Sequence, residues 1–360
     1  MIGPAAAPRF VVALCLTVAL AGCATRAMLS PDEAAHARPA PGSVLQSIPL
    51  DAAEEERILA LDPEHVSETD VRDTLSRAPA PHIILIHGGV YPVQLVMASF
   101  GRFLVKMGYP EARIRDPQDR SWSISPYESS TDGAGLVAWY YEHDGVRPMI
   151  IGHSQGGIQA VKILYELNGA FDAEIHPYDP EAHRIDPRTT IVDPLTGRER
   201  PVVGVSVAYV GVVGTGGLSL ALPNHWIIAG RIRAIPDTVD EFVGYRIGLD
   251  LVAWDVPGLE GIKTFYPNGK ATVRNVTLPA EYSHVFVPVT SGLADTPAMR
   301  AWINEYNPSD RSAAPLPQDG DTSNVIFAAE VWHSVKHHWV KEAQRFVRAR
   351  RGEPPADGSG

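Results

Sequence analysis

The chain is poor in cysteine, has no excess of positive charge and lacks a hydrophobic run long enough to cross a bilayer. Two cysteines, Cys15 and Cys23, in 360 residues cannot build a disulfide framework or the cysteine spacing of a zinc or iron–sulfur site. Lys and Arg number 31 against 42 Asp and Glu, a formal net charge of −11. Phosphate binding needs a basic face, so nucleic acid is not an expected partner. A spanning helix needs about 20 apolar residues, and the run at residues 10–21 (FVVALCLTVALA) stops at a dozen. What is present is a globular composition, 45% hydrophobic and 20% charged with 31 Gly and 31 Pro. The length suits one large α/β domain or two small ones.

The apolar run follows a single basic residue, Arg9, as the core of a secretory signal does. It ends in Leu20-Ala21-Gly22-Cys23, which resembles the lipobox of bacterial lipoproteins. The resemblance implies that residues 1–22 are a signal peptide and that Cys23 becomes an acylated N-terminus. Two or more acyl chains hold a soluble domain at a membrane without spanning it. Ala24, where retention at the inner membrane would favour Asp, implies the outer membrane of a bacterial envelope. Cys15 then leaves with the signal, no free thiol remains, and cysteine catalysis is not expected. Residues 23–50, rich in Ala and Pro, read as a tether.

The folded domain is expected over 51–350, with 351–360 a disordered tail. Two short helical patterns occupy 51–78, the second capped by Ser67. His82–His87 is a short continuous apolar run closed by Gly88-Gly89, the pattern of a strand buried on both faces. Pro148–Gly152 and Pro201–Val213 repeat that pattern. Phe242–Leu249 and Ala271–Leu278 read as further strands, and Ala112–Arg115 as a short one. Helical periodicity marks 92–108, 135–142, 155–168, 297–306 and 325–349. Asp193-Pro194-Leu195-Thr196-Gly197 reads as a hairpin turn. Asp237 and Asp240 read as the start of a helix after Pro236. Strands alternating with helices imply an α/β fold with a mainly parallel sheet and helices on both faces.

The stretch that carries chemistry is Gly152-His153-Ser154-Gln155-Gly156-Gly157. It holds G-x-S-x-G between a buried strand and a helix. There the serine sits on a sharp strained turn, and the glycines let strand and helix pass closely. A glycine-rich structural turn is the bland alternative. Here the chain, from about Pro81 to Asn307, resembles the α/β-hydrolase superfamily, particularly its bacterial lipases and esterases. The first two strands of that family are not evident before residue 82.

The resemblance implies a serine hydrolase with Ser154 as nucleophile, no cofactor, and a small-molecule or lipid ester as substrate. Gln155 would give one oxyanion N–H, and Gly88, Gly89 or Val90 the other. His87 reads as structural. The family order is serine, acid, histidine, and seven histidines follow Ser154. His284, in the loop after the last core strand, is the expected base, with His333 the rival. Asp250, at the end of a strand, is the expected acid, with Asp255 the rival. His333 and His337, four apart, read as a solvent-facing pair rather than metal ligands. Leu218–Ile235 reads either as a cap over an acyl chain or as a core helix. Phe171–Arg188 reads as a solvated excursion, with a calcium site the lesser alternative. The same triad would serve a thioesterase, acyltransferase or amidase, and a non-catalytic envelope lipoprotein on a hydrolase scaffold is the reading of another class.

Overall fold

The computed structural model describes residues 27–28, 43–90, 93–253, 263–310, 315–317 and 322–353. Five strands form its central sheet: β1 (Ile83–Ile86), β2 (Met149–His153), β3 (Val207–Val213), β4 (Val239–Ile247) and β5 (Thr272–Leu278). They lie side by side in chain order, and every neighbouring pair is parallel. The main helices are α1 (Ser43–Ser47), α2 (Ala52–Leu59), α3 (Glu68–Asp73), α4 (Val93–Lys106), α5 (Ser130–Asp144), α6 (Gln155–Leu167), α7 (Pro297–Glu305) and α8 (Val325–Arg350).

The continuous apolar runs follow from burial on both faces, because successive side chains of a strand point to opposite sides. Ile83 and Leu85 join one core with Phe100 and Phe103 of α4 and Trp332 and Trp339 of α8. Ile84 and Ile86 join the other, with Val137 of α5 and Ile163 of α6. The five expected long strands and the long helices are present, with ends shifted by a few residues. The hairpin is present too, pairing Thr190–Val192 with Glu199–Pro201.

Several expectations are corrected. Ala112–Arg115 is not a strand: Glu111–Arg113 makes one 3₁₀ turn after Pro110. Asp237 and Asp240 do not begin a helix. Val239–Ile247 is a central strand, Asp240 is ion-paired with Arg147, and Asp237 accepts the Ala271 N–H at 3.0 Å. Residues 43–50, expected in the tether, belong to the fold. Val44 and Leu45 of α1 are buried against Val146 and Phe346, as the apolar Val-Leu pair demands. Arg351, expected in the tail, belongs to the fold: it pairs with Glu55 and Glu56. Leu218–Ile235 is not an α-helix: it runs through 3₁₀ turns, with His225 and Ile228 buried and Trp226 and Ile227 outward. In Phe171–Arg188, Asp186 pairs with Arg188, which also pairs with Glu142. Among the described residues, no helix is long and apolar enough to cross a membrane. Cys23, the signal segment and most of the tether lie outside the described residues.

Candidate active site

The carboxyl ends of β2, β4 and β5 bring three side chains together. Ser154 follows the last residue of β2 and precedes α6, with φ 54° and ψ −118°. A non-glycine residue there stores about 1–3 kcal/mol of strain. The surroundings hold it: its N–H donates to Val213 O at 2.8 Å. Gly156 makes the tight turn possible, because a Cβ on it would lie 2.2 Å from Ile86 O and 2.6 Å from His87 O.

His284 stands in the turn-rich segment after β5. Its Nε2 is 2.9 Å from Ser154 Oγ, and its Nδ1 is 2.6 Å from Asp250 Oδ2. Asp250 follows β4 by three residues and is buried. Its other oxygen accepts the Val252 and Ala253 N–H groups at 2.9 and 3.0 Å. Burial alone would raise its pKa. The bond from His284 and the two backbone donors outweigh burial and hold the carboxyl below its usual range. Asp250 therefore stays ionised and fixes Nδ1 of His284 as the protonated nitrogen, leaving Nε2 free to accept from the serine hydroxyl. Gly214, at the end of β3 with φ 62°, backs onto this pair. A Cβ there would lie 3.0 Å from His284 Nδ1 and would also need a left-handed backbone.

The two oxyanion segments adjoin the serine. Gln155 is the first residue of α6, so its N–H has no partner four residues back within the helix. A Cβ on Gly88 would lie 3.3 Å from the Ser154 Cβ, and one on Gly89 would overlap the Gln155 side chain. Val90 is largely exposed. His87 donates from Nδ1 to its neighbour's carbonyl, Gly88 O, at 2.7 Å, and burial lowers its pKa.

The rivals lie elsewhere. His333 is not solvent-facing but buried in α8. Burial, with Lys336 and Arg274 nearby, pushes its pKa down to about 4. It lines a cavity of about 390 Å³ between α8, α7 and residues 63–69, which none of Ser154, His284 and Asp250 lines. His337 pairs with Glu64 at 3.2 Å. Asp255 lies outside the described residues. Among the described residues, no three His, Cys, Asp or Glu side chains are grouped as a metal site would need.

Two contacts at the site had no signal in the sequence. Gly214 sits in a glycine-rich loop after β3 that carries no catalytic motif. His153, beside the serine, reaches His284 from 131 positions away. No family model and no curated protein matches this chain.

Proposed function

We propose that the chain is a serine hydrolase of the α/β-hydrolase type that cleaves carboxylic esters. The observation that carries this reading is the unbroken relay from Asp250 through His284 to Ser154, 2.6 and 2.9 Å long, on a strained strand–turn–helix. A structural turn has no need of that relay. The strand order 1-2-3-4-5, with the serine after β2 and the acid and base in the segments that follow β4 and β5, supports the same fold type.

In this reading His284 Nε2 takes the Ser154 hydroxyl proton as Oγ attacks the ester carbonyl. The Gln155 N–H and a donor from Gly88 or Gly89 meet the oxygen on which charge develops. Each such donor is worth about 2.7–4 kcal/mol. The imidazolium, stabilised by Asp250, returns its proton to the departing alcohol. A water activated by the same nitrogen then releases the acid and frees the serine. The purified protein should hydrolyse nitrophenyl esters over some part of an acyl-length series, and Ser154→Ala should lower turnover by about 10⁴-fold or more. Equal turnover by the Ser154→Ala variant would remove the serine from the mechanism.

The same proposal places the enzyme on a bacterial envelope through lipidated Cys23, supported by the short apolar run and the Leu-Ala-Gly-Cys that ends it. Cys23→Ser should shift the protein from the membrane fraction to the soluble one. A variant that stays with membranes would point to another anchor.

A further inference from the structure

The loop that carries His284 leaves the sheet after β5 at Leu278 and runs as turns to α7. Asp250 orients the imidazole of His284, yet a side-chain bond alone does not fix the backbone from which that side chain springs. The structure provides a second hold. His153, the last residue of β2 and the neighbour of Ser154, directs its Nε2 at the carbonyl oxygen of His284, 2.7 Å away. A carbonyl only accepts, so Nε2 carries the proton. The two rings lie 5.3 Å apart between centroids.

We propose that His153 is a positioning residue. Its Nε2–H clamps the His284 backbone to the nucleophile strand, so that base and nucleophile are joined through the main chain as well as through Oγ and Nε2. The inference rests on the hydrolase reading of the site. Burial, the state of the second ring nitrogen and electrostatics support it. His153 is only 1% exposed, which removes water as a competitor for the bond. Among the described residues its Nδ1 has no hydrogen-bond partner, and it sits where a Cβ on Gly88 would come within 3.1 Å. The ring is thus fixed as the Nε2–H tautomer by its bond to the carbonyl, and among the described residues nothing accepts a proton from the other nitrogen. Burial, with the charge of a protonated His284 beside it, pushes its pKa down to about 3. The clamp therefore stays neutral while His284 takes up and returns protons.

A histidine in a core can be mere filling, and the two roles separate by experiment. His153→Phe keeps an aromatic ring but loses the donor, whereas His153→Gln keeps an N–H at similar reach. A misplacement of about 1 Å at a reacting group can cost roughly 100-fold. His153→Phe should lower kcat by about 10- to 100-fold with KM changed by less than about threefold, and slow fluorophosphonate labelling by the same factor. His153→Gln should recover a large part of the loss. A folded His153→Phe with kcat within about twofold of wild type would overturn the inference.

Should both variants fail to fold, ¹⁵N NMR of wild-type histidines decides. His153 should carry its proton on Nε2 and not titrate between about pH 5 and 9. A proton on Nδ1, or titration in that range, would overturn the clamp. Wild type that neither labels nor hydrolyses any ester overturns the hydrolase reading and the clamp with it. Labelled wild type with an unaffected His153→Phe overturns the clamp alone.

Discussion

The two ends of the parallel sheet carry polar clusters built from the same strands, and they are finished differently. At the amino end, Arg147 precedes β2, Asp240 opens β4, and Glu342 reaches in from α8. Arg147 gives two guanidinium nitrogens and its backbone N–H to Glu342 at 2.6–2.9 Å, and two guanidinium nitrogens to Asp240 at 2.5 and 2.7 Å. Burial would depress the guanidinium, but the two carboxylates raise it instead, and they are what keep the charge tolerable there. At the carboxyl end, Ser154 follows β2 and Asp250 follows β4. The relay there ends on a hydroxyl, on a residue held at positive φ, beside the N-terminus of α6. The comparison teaches where function can sit. A cluster in which every donor is answered holds the fold. A cluster that ends on a hydroxyl, beside helix N–H groups without intrahelical partners, has groups left over for the chemistry proposed above.

Substitutions at the two ends should therefore separate activity from stability. The largest effect is expected from His284→Ala, which should lose nearly as much turnover as Ser154→Ala, because members of a triad act as a unit. Asp250→Asn follows, with a loss on the order of 10⁴-fold, since the imidazole would lose its tautomer and orientation. Both should melt close to wild type. His333→Ala, on the buried side of α8, should keep most of its activity. If His333→Ala fell as far as His284→Ala, the assignment of the base would be wrong.

The opposite signature is expected at the amino end. Glu342 is 1% exposed in its side chain, and Arg147 and Arg345 hold its pKa down to about 2 against the effect of burial. Glu342→Ala leaves Arg147 buried with Asp240 as its remaining carboxylate partner among the described residues, and should cost about 3–5 kcal/mol of stability in a denaturant titration. Turnover per folded molecule should be unchanged. A loss of turnover without a loss of stability would mean that the two ends are coupled.

Much of this was legible beforehand, and the parts that were not have physical reasons. The strands at 82–87, 148–152 and 201–213 show because burial on both faces demands unbroken apolar runs. The tight strand–turn–helix at Ser154 shows because so close a turn needs glycine on both sides. Asp250 and His284 show because they end or follow recognisable strands. Where polar residues are satisfied by distant partners, local pattern misleads. Asp240 resembles a helix start, but Arg147, 93 positions away, makes it acceptable in a strand. His333 resembles half of a surface pair, yet α8 turns it against residues 63–69. The 218–235 segment has the composition of a helix but alternates inward His225 and Ile228 with outward Trp226 and Ile227 in 3₁₀ turns. The bond from His153 to the His284 carbonyl depends on where a loop returns, which no local window contains.

The central claim is that Ser154 is an activated nucleophile. The most direct measurement is fluorophosphonate labelling of the purified protein, with the adduct located by peptide mass spectrometry. The account predicts one adduct, on Ser154, formed in wild type, absent from Ser154→Ala and strongly slowed in His284→Ala. An adduct on another residue, or none at Ser154 in folded wild type at high probe concentration, would contradict it.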